Sequence, residues 1–271
     1  MTPKKIFTAY DVLKTTGILK AKPDNTLSQI ISKLRNSHDA VFVFDNKDKF
    51  LGVVSFANIF KHNSIKDNSR LKNICKMPPK PNISARISEI AKLMINTQIY
   101  FLPIFDNDNN FLGIVSANRL FKFVITNHLL KGKDRLIFSP RQMITIKPDE
   151  SIATVWQKLQ SSKNSKALAL DDQGNISGIV SRYDFRHLKI TGQRTARGSR
   201  IGEKTSELDQ PVNGYLKKVF FTIKKIPNFS SAYEMMKENK VNSLVLVDNN
   251  NAPIDIITRR DLLNTIAENE I

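Results

Sequence analysis

Short apolar runs broken by polar turns recur along the chain, and four pairs of them share one register. In each pair an aspartate ends the first run, and a Ser or Thr ends the second ten residues later. These are Asp45/Ser55, Asp106/Ser116, Asp171/Ser181 and Asp248/Thr258. Two apolar runs joined by a turn rich in Asn, Asp or Gly predict a β-hairpin. The same spacing four times over predicts one supersecondary unit used four times. Around the third copy, 146–151 reads as a short extended piece and a helix start. Ile152, Val155, Trp156 and Leu159 follow at helical spacing. Strands are then expected over 167–170 and 176–180, with a helix opened by Ser181 and continued by Phe185 and Leu188. The order is strand, helix, strand, strand, helix. The other copies predict first helices over 27–34, 87–97 and 231–238. Their strand pairs are 41–44 with 50–54, 101–105 with 111–115, and 244–247 with 254–257. The turn aspartates are expected to bond backbone amides and to carry no further chemistry.

The second strand of each pair ends in a recurring tetrapeptide: Gly-Val-Val-Ser at 52–55, Gly-Ile-Val-Ser at 113–116 and 178–181, and Asp-Ile-Ile-Thr at 255–258. A residue without a side chain at that point lets a neighbouring backbone approach closely. With a helix expected after each hydroxyl, the set resembles the CBS (cystathionine β-synthase) domain, and the resemblance covers nearly the whole chain. It implies an α/β fold of four CBS repeats paired into two tandem modules, disc-like, as in stand-alone archaeal-type CBS proteins. The repeats are expected at 1–68, 69–132, 133–192 and 193–271, and the modules at roughly 1–132 and 133–271.

The resemblance further implies that the Ser or Thr closing the last strand binds a phosphate, and that an Asp three residues on binds ribose hydroxyls. Ser181 with Asp184 and Thr258 with Asp261 keep both groups, so the second module is the expected place for AMP, ADP or ATP as a regulatory ligand. Arg182, Arg259 and Arg260 lie beside the phosphate position and are candidates to neutralise it. The first module departs from the pattern, with Asn58 and Arg119 where the acids belong. An arginine cannot accept a hydrogen bond. Ser-x-x-Asp is also close to a capping box, in which hydroxyl and acid merely start a helix. Both readings stand at this point.

Charge adds a second theme. The chain of 271 residues carries 42 Lys and Arg against 25 Asp and Glu, a net +17. Such an excess points to a polyanionic partner. Successive hydroxyl anchors lie 61, 65 and 77 residues apart, so the last gap holds an insert at 191–202, with Arg194, Arg197 and Arg200 spaced by Gly and Ser. Arg in such a segment suits phosphate forks and base stacking. Further candidate cations are Lys204, Lys217 and Lys218, then Lys61, Lys66, Arg70, Lys72, Lys76 and Lys80, and Lys131, Lys133 and Arg135 at the module seam. Charge spread over several linkers favours a broad phosphate-reading surface. Structured RNA is therefore the leading expected partner, and the resemblance to stand-alone, basic proteins of this type that hold ribosomal subunits idle implies a translationally inactive ribosomal subunit as the leading expected target. The competing expectation is an AMP/ATP sensor that regulates an enzyme or transporter.

No apolar stretch approaches the roughly 18 residues of a membrane span. The first residues carry a basic pair without an apolar core, so no secretory leader is expected. Cys75 is the lone cysteine, which fits a reducing cytoplasm. His38, His62, His128 and His187 lack metal-ligand spacing, and no phosphate loop or activated nucleophile appears. The expectation is a non-enzymatic protein with no metal and no required cofactor.

Overall fold

Alternation of apolar runs with Asx-rich turns produces four hairpins in the computed structural model, which describes residues 6–36, 40–55, 68–140, 143–162, 166–182, 184–187, 207–269 and 271. They are β2 (Ala40–Phe44) with β3 (Phe50–Ser55), β4 (Phe101–Phe105) with β5 (Phe111–Ser116), β7 (Lys166–Leu170) with β8 (Ile176–Ser181), and β10 (Ser243–Val247) with β11 (Pro253–Thr258). Short strands β1 (Lys20–Ala21), β6 (Thr145–Ile146) and β9 (Thr222–Ile223) each add in parallel beside the first strand of a hairpin. The second repeat differs. Its sheet holds β4 and β5 alone, with a single parallel bridge from Asn82 to Phe105. Pro78, Pro79 and Pro81 precede that bridge, and a residue without an N–H cannot extend a ladder.

The aspartate before each turn organises it. Asp45 Oδ1 accepts from the amides of Lys47 and Lys49, Asp171 Oδ1 from Gln173 and Asn175, and Asp248 Oδ1 from Asn250 and Ala252. Asp106 Oδ1 accepts from the Asn110 amide. Three residues after each aspartate the backbone turns left-handed: Asp48, Asn109, Gly174 and Asn251 all have positive φ. Asp, Asn and Gly are the residues that tolerate this conformation.

The first helix of each repeat is α1 (Leu27–Asn36), α3 (Ile87–Thr97), α5 (Ile152–Ser161) and α6 (Phe229–Glu238). A four-residue helix, α2 (Leu71–Ile74), precedes the second repeat, and α4 (Ala117–Thr126) and α7 (Arg259–Glu268) follow the second and fourth hairpins. After the third hairpin the described residues Asp184–His187 form a 3₁₀ turn; the rest of the helix expected there, Leu188 included, lies outside the described residues.

The chain groups into two compact units. The first contains Met1–Phe138 with Pro227–Glu234 and Thr258–Ile271, and the second contains Ser139–Ile226 with Met235–Ile257. In the first unit Leu27, Ile30 and Leu34 of α1 pack on Val41, Val43, Val54, Leu71 and Ile74. A second centre is aromatic, with Phe42, Phe44, Phe50 and Phe105 buried and Phe111 against them. Each such ring, fully buried, stabilises the fold by roughly 1.5–3 kcal/mol. α3 also packs on α7, and Phe121 meets Phe229 edge-on at 6.2 Å. The second unit's core joins Ile152, Val155 and Leu159 of α5 to Ala167, Ala169, Val180, Phe185, Val212 and Leu216. Trp156 packs against it, edge-on to Phe185 at 5.9 Å. Leu168, Ile179, Val245, Val247 and Ile256 fill the space between the third and fourth hairpins.

The tetrapeptide glycines admit a crossing backbone, as their lack of a side chain predicts. Lys14 pairs with Ile114 in both directions, at 2.8 and 2.9 Å, and Lys76 pairs likewise with Val53. A Cβ on Gly113 would stand 2.4 Å from the Lys14 carbonyl oxygen, and one on Gly52, whose φ is +147°, 2.8 Å from that of Lys76. Lys217 crosses beside Gly178 in the same way, paired to Ile179.

Candidate nucleotide site

Ser181 closes β8, a strand buried at Ile179 and Val180, three residues before the Asp184–His187 turn. Asp184 Oδ2 accepts from the Ser181 amide at 2.7 Å and from its hydroxyl at 2.6 Å. The other carboxylate oxygen, Oδ1, pairs with Lys217 Nζ at 2.7 Å. Asp184 is buried while the lysine is half exposed. Thr258 closes β11 and caps α7. Asp261 Oδ2 accepts from its amide at 2.7 Å and from its hydroxyl at 3.0 Å, and Thr258 Oγ1 accepts from the Arg260 amide at 3.3 Å. Asp261 is 0% exposed.

Both pairs thus adopt the hydroxyl–acid contact that the spacing predicts, and Thr258 with Asp261 does so as the cap of α7. A capping hydroxyl sits beside free first-turn amides, so it occupies the position an anionic oxygen would take. A ligand at either pair exchanges existing bonds for new ones. Asp184 belongs to the second unit and Asp261 to the first.

The departures in the first half have structural counterparts. Ser116 begins α4 without a side-chain cap, and the first turn of that helix holds no acid. Arg119 turns away to donate through Nε to the Val12 carbonyl and through Nη2 to that of Leu13, both at 2.9 Å. Asn58 lies outside the described residues.

Arg182 corrects an expectation. Its guanidinium is not presented to a phosphate; it donates to the carbonyls of Leu159 and Ser162 at the end of α5. Burial lowers its pKa from the ordinary value. A cation at carbonyls left over by a helix end completes that terminus. Arg259 and Arg260 stand half-buried in the first turn of α7.

The cations proposed for a polyanion fall into three groups. Arg194, Arg197, Arg200, Lys204, Lys61 and Lys66 lie outside the described residues. Several others are engaged within the chain: Arg70 and Lys72 reach Asp24 Oδ1 at 3.1 and 3.0 Å, and Lys218 donates to the Ser177 carbonyl. Lys217 holds Asp184, and Lys80 lies 5.0 Å from the ring centre of Phe105. The backbone of Lys76 forms the crossing with Val53. Lys131, Lys133 and Arg135 are exposed. Among the described residues no cluster of three or more His, Cys, Asp or Glu is arranged for a metal, and no helix is long and apolar enough to cross a membrane.

One residue at the site escaped the motif reading. Lys166 opens β7 opposite Ser181, and its Nζ donates to the Ser243 hydroxyl at 2.8 Å. A charged residue heading an otherwise apolar strand was the available signal.

The CBS domain matches at four segments, residues 9–64, 78–126, 138–190 and 220–268, which cover well over half of the chain. The chain belongs to the CBS domain family. Among its relatives, the uncharacterized protein MJ1404 of Methanocaldococcus jannaschii is 22% identical over 264 residues, covering 94% of this CBS chain and 61% of that protein. The chain therefore spans about three-fifths of that relative's length. The structure of protein MJ1225 from the same organism superposes with a TM-score of 0.73 over 95% of this chain and 99% of that one, at 17% identity. An uncharacterized conserved protein from Pyrococcus horikoshii gives 0.62 over 96% and 100%, at 15% identity. At such identities the likeness is one of fold: a four-repeat CBS architecture running through the whole chain.

Proposed function

We propose that this CBS chain is a non-enzymatic regulator that senses adenine nucleotide, AMP or ATP, at the hydroxyl–acid pairs of its last two repeats. One observation carries the reading: Asp184 and Asp261 each bring a buried carboxylate oxygen onto the hydroxyl and amide that end the preceding strand. A strand-end hydroxyl offers a bond to phosphate, and a carboxylate accepts from ribose hydroxyls. Arg119 performs neither role, so binding in the second repeat is not expected. The output is a change in a partner enzyme or transporter, driven by the difference in nucleotide affinity between two states of the chain.

Isothermal titration of the purified chain with AMP and ATP tests this. Binding by the wild type, lost in D184A or D261A while the fold persists, supports the reading. A wild type that takes up neither nucleotide overturns it.

The net charge of +17 favours a second reading, in which the chain holds a ribosomal subunit idle through rRNA phosphates. The family match and the fold neighbours lend it no support, and several of its cations already have partners within the chain. Sedimentation of cell extract on a gradient decides it: the protein travels with ribosomal particles at low salt, or this reading is lost.

A further inference from the structure

β7 and β8 are antiparallel, with Lys166 directly opposite Ser181. Directly opposed side chains leave a sheet on the same face, about 4.5–5.5 Å apart at Cβ. Lys166 Nζ donates to the hydroxyl of Ser243, the first residue of β10 and only 5% exposed. Asp184, which accepts from the Ser181 hydroxyl, carries the Lys217 ammonium. Two hydroxyls, two ammonium groups and one carboxylate therefore gather at the strand ends of the second unit.

The other repeats show that the fold does not require a cation here. Ala40 stands opposite Ser55 and Phe101 opposite Ser116, at the same register of their hairpins. Either residue packs the position without desolvating charge. A hydroxyl such as that of Ser243 rotates freely to accept from a lysine or to donate to an anion.

We propose that Lys166 recognises a phosphate group at the Ser181 strand end, and that it makes the site of the second unit selective for phosphorylated ligands over neutral nucleosides. This deepens the nucleotide reading above and rests on it for the identity of the rest of the ligand. Lys166 supplies the positive charge, while Ser243 holds the ammonium in place.

The test compares AMP, adenosine and inorganic phosphate on the wild type, K166M, K166R and S243A, with circular dichroism to verify folding. The wild type should bind AMP about tenfold or more tighter than adenosine, the size of effect expected of a charge-assisted bond. K166M should lose about that factor for AMP and leave adenosine within roughly twofold, K166R should retain most AMP affinity, and S243A should fall between. K166M binding AMP like the wild type overturns the assignment. So does an equal loss of AMP and adenosine, which marks a structural role. If the wild type binds no adenine nucleotide, the nucleotide reading falls separately, and the phosphate arm decides. Thermal stabilisation by millimolar inorganic phosphate that K166M lacks keeps Lys166 as a phosphate-binding residue; no such stabilisation overturns it.

Discussion

Lys20 and Lys80 cover one aromatic cluster from equivalent places in the first two repeats. Lys20 Nζ lies 4.8 Å from the ring centre of Phe44 and 5.6 Å from that of Phe111. Lys80 Nζ lies 5.0 Å from Phe105 and 5.9 Å from Phe50. Each lysine thus takes one ring from its own repeat and one from the other, so the cluster holds the two repeats together. The four rings are Phe residues one place before and five places after the turn aspartates, where the later repeats carry Leu170, Ile176, Val247 and Pro253. K20M and K80M should each cost roughly 0.5–1 kcal/mol. Because the lysines share no ring, the double variant should lose about the sum. Urea unfolding at low and high salt measures this, and two neutral single variants would remove the cation–π account.

The crossing backbones make a sharper claim. Gly113→Ala places a methyl 2.4 Å from the Lys14 carbonyl oxygen, which cannot retreat without breaking its pairing with Ile114. Overpacking of this kind costs about 1–3 kcal/mol, and the lost pairing adds to it. Gly174→Ala meets nothing within 4 Å but keeps a φ of +83°, so only left-handed strain of about 1 kcal/mol opposes it. Denaturant midpoints should therefore fall further for G113A than for G174A. The reverse order would mean that the crossing strand yields easily.

Local chemistry was legible in the chain, and distant pairing was not. The ten-residue spacing located all four hairpins because turn and strand signals lie within one another's reach. The contacts of Asp184 with Ser181 and of Asp261 with Thr258 followed from a three-residue spacing for the same reason. Arg182 closes the end of α5, some twenty residues earlier, through bonds that no local pattern encodes. Lys217 and Asp184 are likewise joined only by the crossing of the fourth repeat's leading segment beside Gly178. The missing first strand of the second repeat was readable from its prolines, but the repeat pattern outweighed them. The packing of α7 on α3 depends on Leu262, Leu263 and Ile266 being buried together, a spread of apolar positions that names no partner.

Acid should weaken the fold through particular carboxylates. The Lys72 ammonium, through a hydrogen bond and its charge, holds Asp24 below the ordinary carboxylate value, and Arg70 adds to this. Hydrogen bonds from the Asn110 side chain and then its backbone lower Asp106. A group with a depressed folded pKa contributes stability that is present above its unfolded value, near 3.9, and is lost as pH falls through the folded one. Stability should therefore be flat near neutrality and decline below about pH 4 from these groups. D106N should narrow the difference between denaturation midpoints at pH 7 and pH 3. An unchanged difference would place the acid sensitivity elsewhere.

Lys217 and Asp184 should differ sharply in what their removal costs. Asp184 is 8% exposed and serves three donors: the Ser181 amide, the Ser181 hydroxyl and the Lys217 ammonium. D184A leaves the first two without their acceptor, a loss of about 2–3 kcal/mol. Lys217 is half exposed, so the pair is screened from its open side, and K217M, which leaves the buried Asp184 its two Ser181 donors, should cost less, about 1 kcal/mol. Added salt should reduce the wild-type advantage over K217M, since an ion pair open on one side is screened. The D184A deficit should persist in salt because unsatisfied donors are indifferent to ionic strength. Equal costs for the two variants would show that the ion pair, rather than the Ser181 hydrogen bonds, holds this strand end.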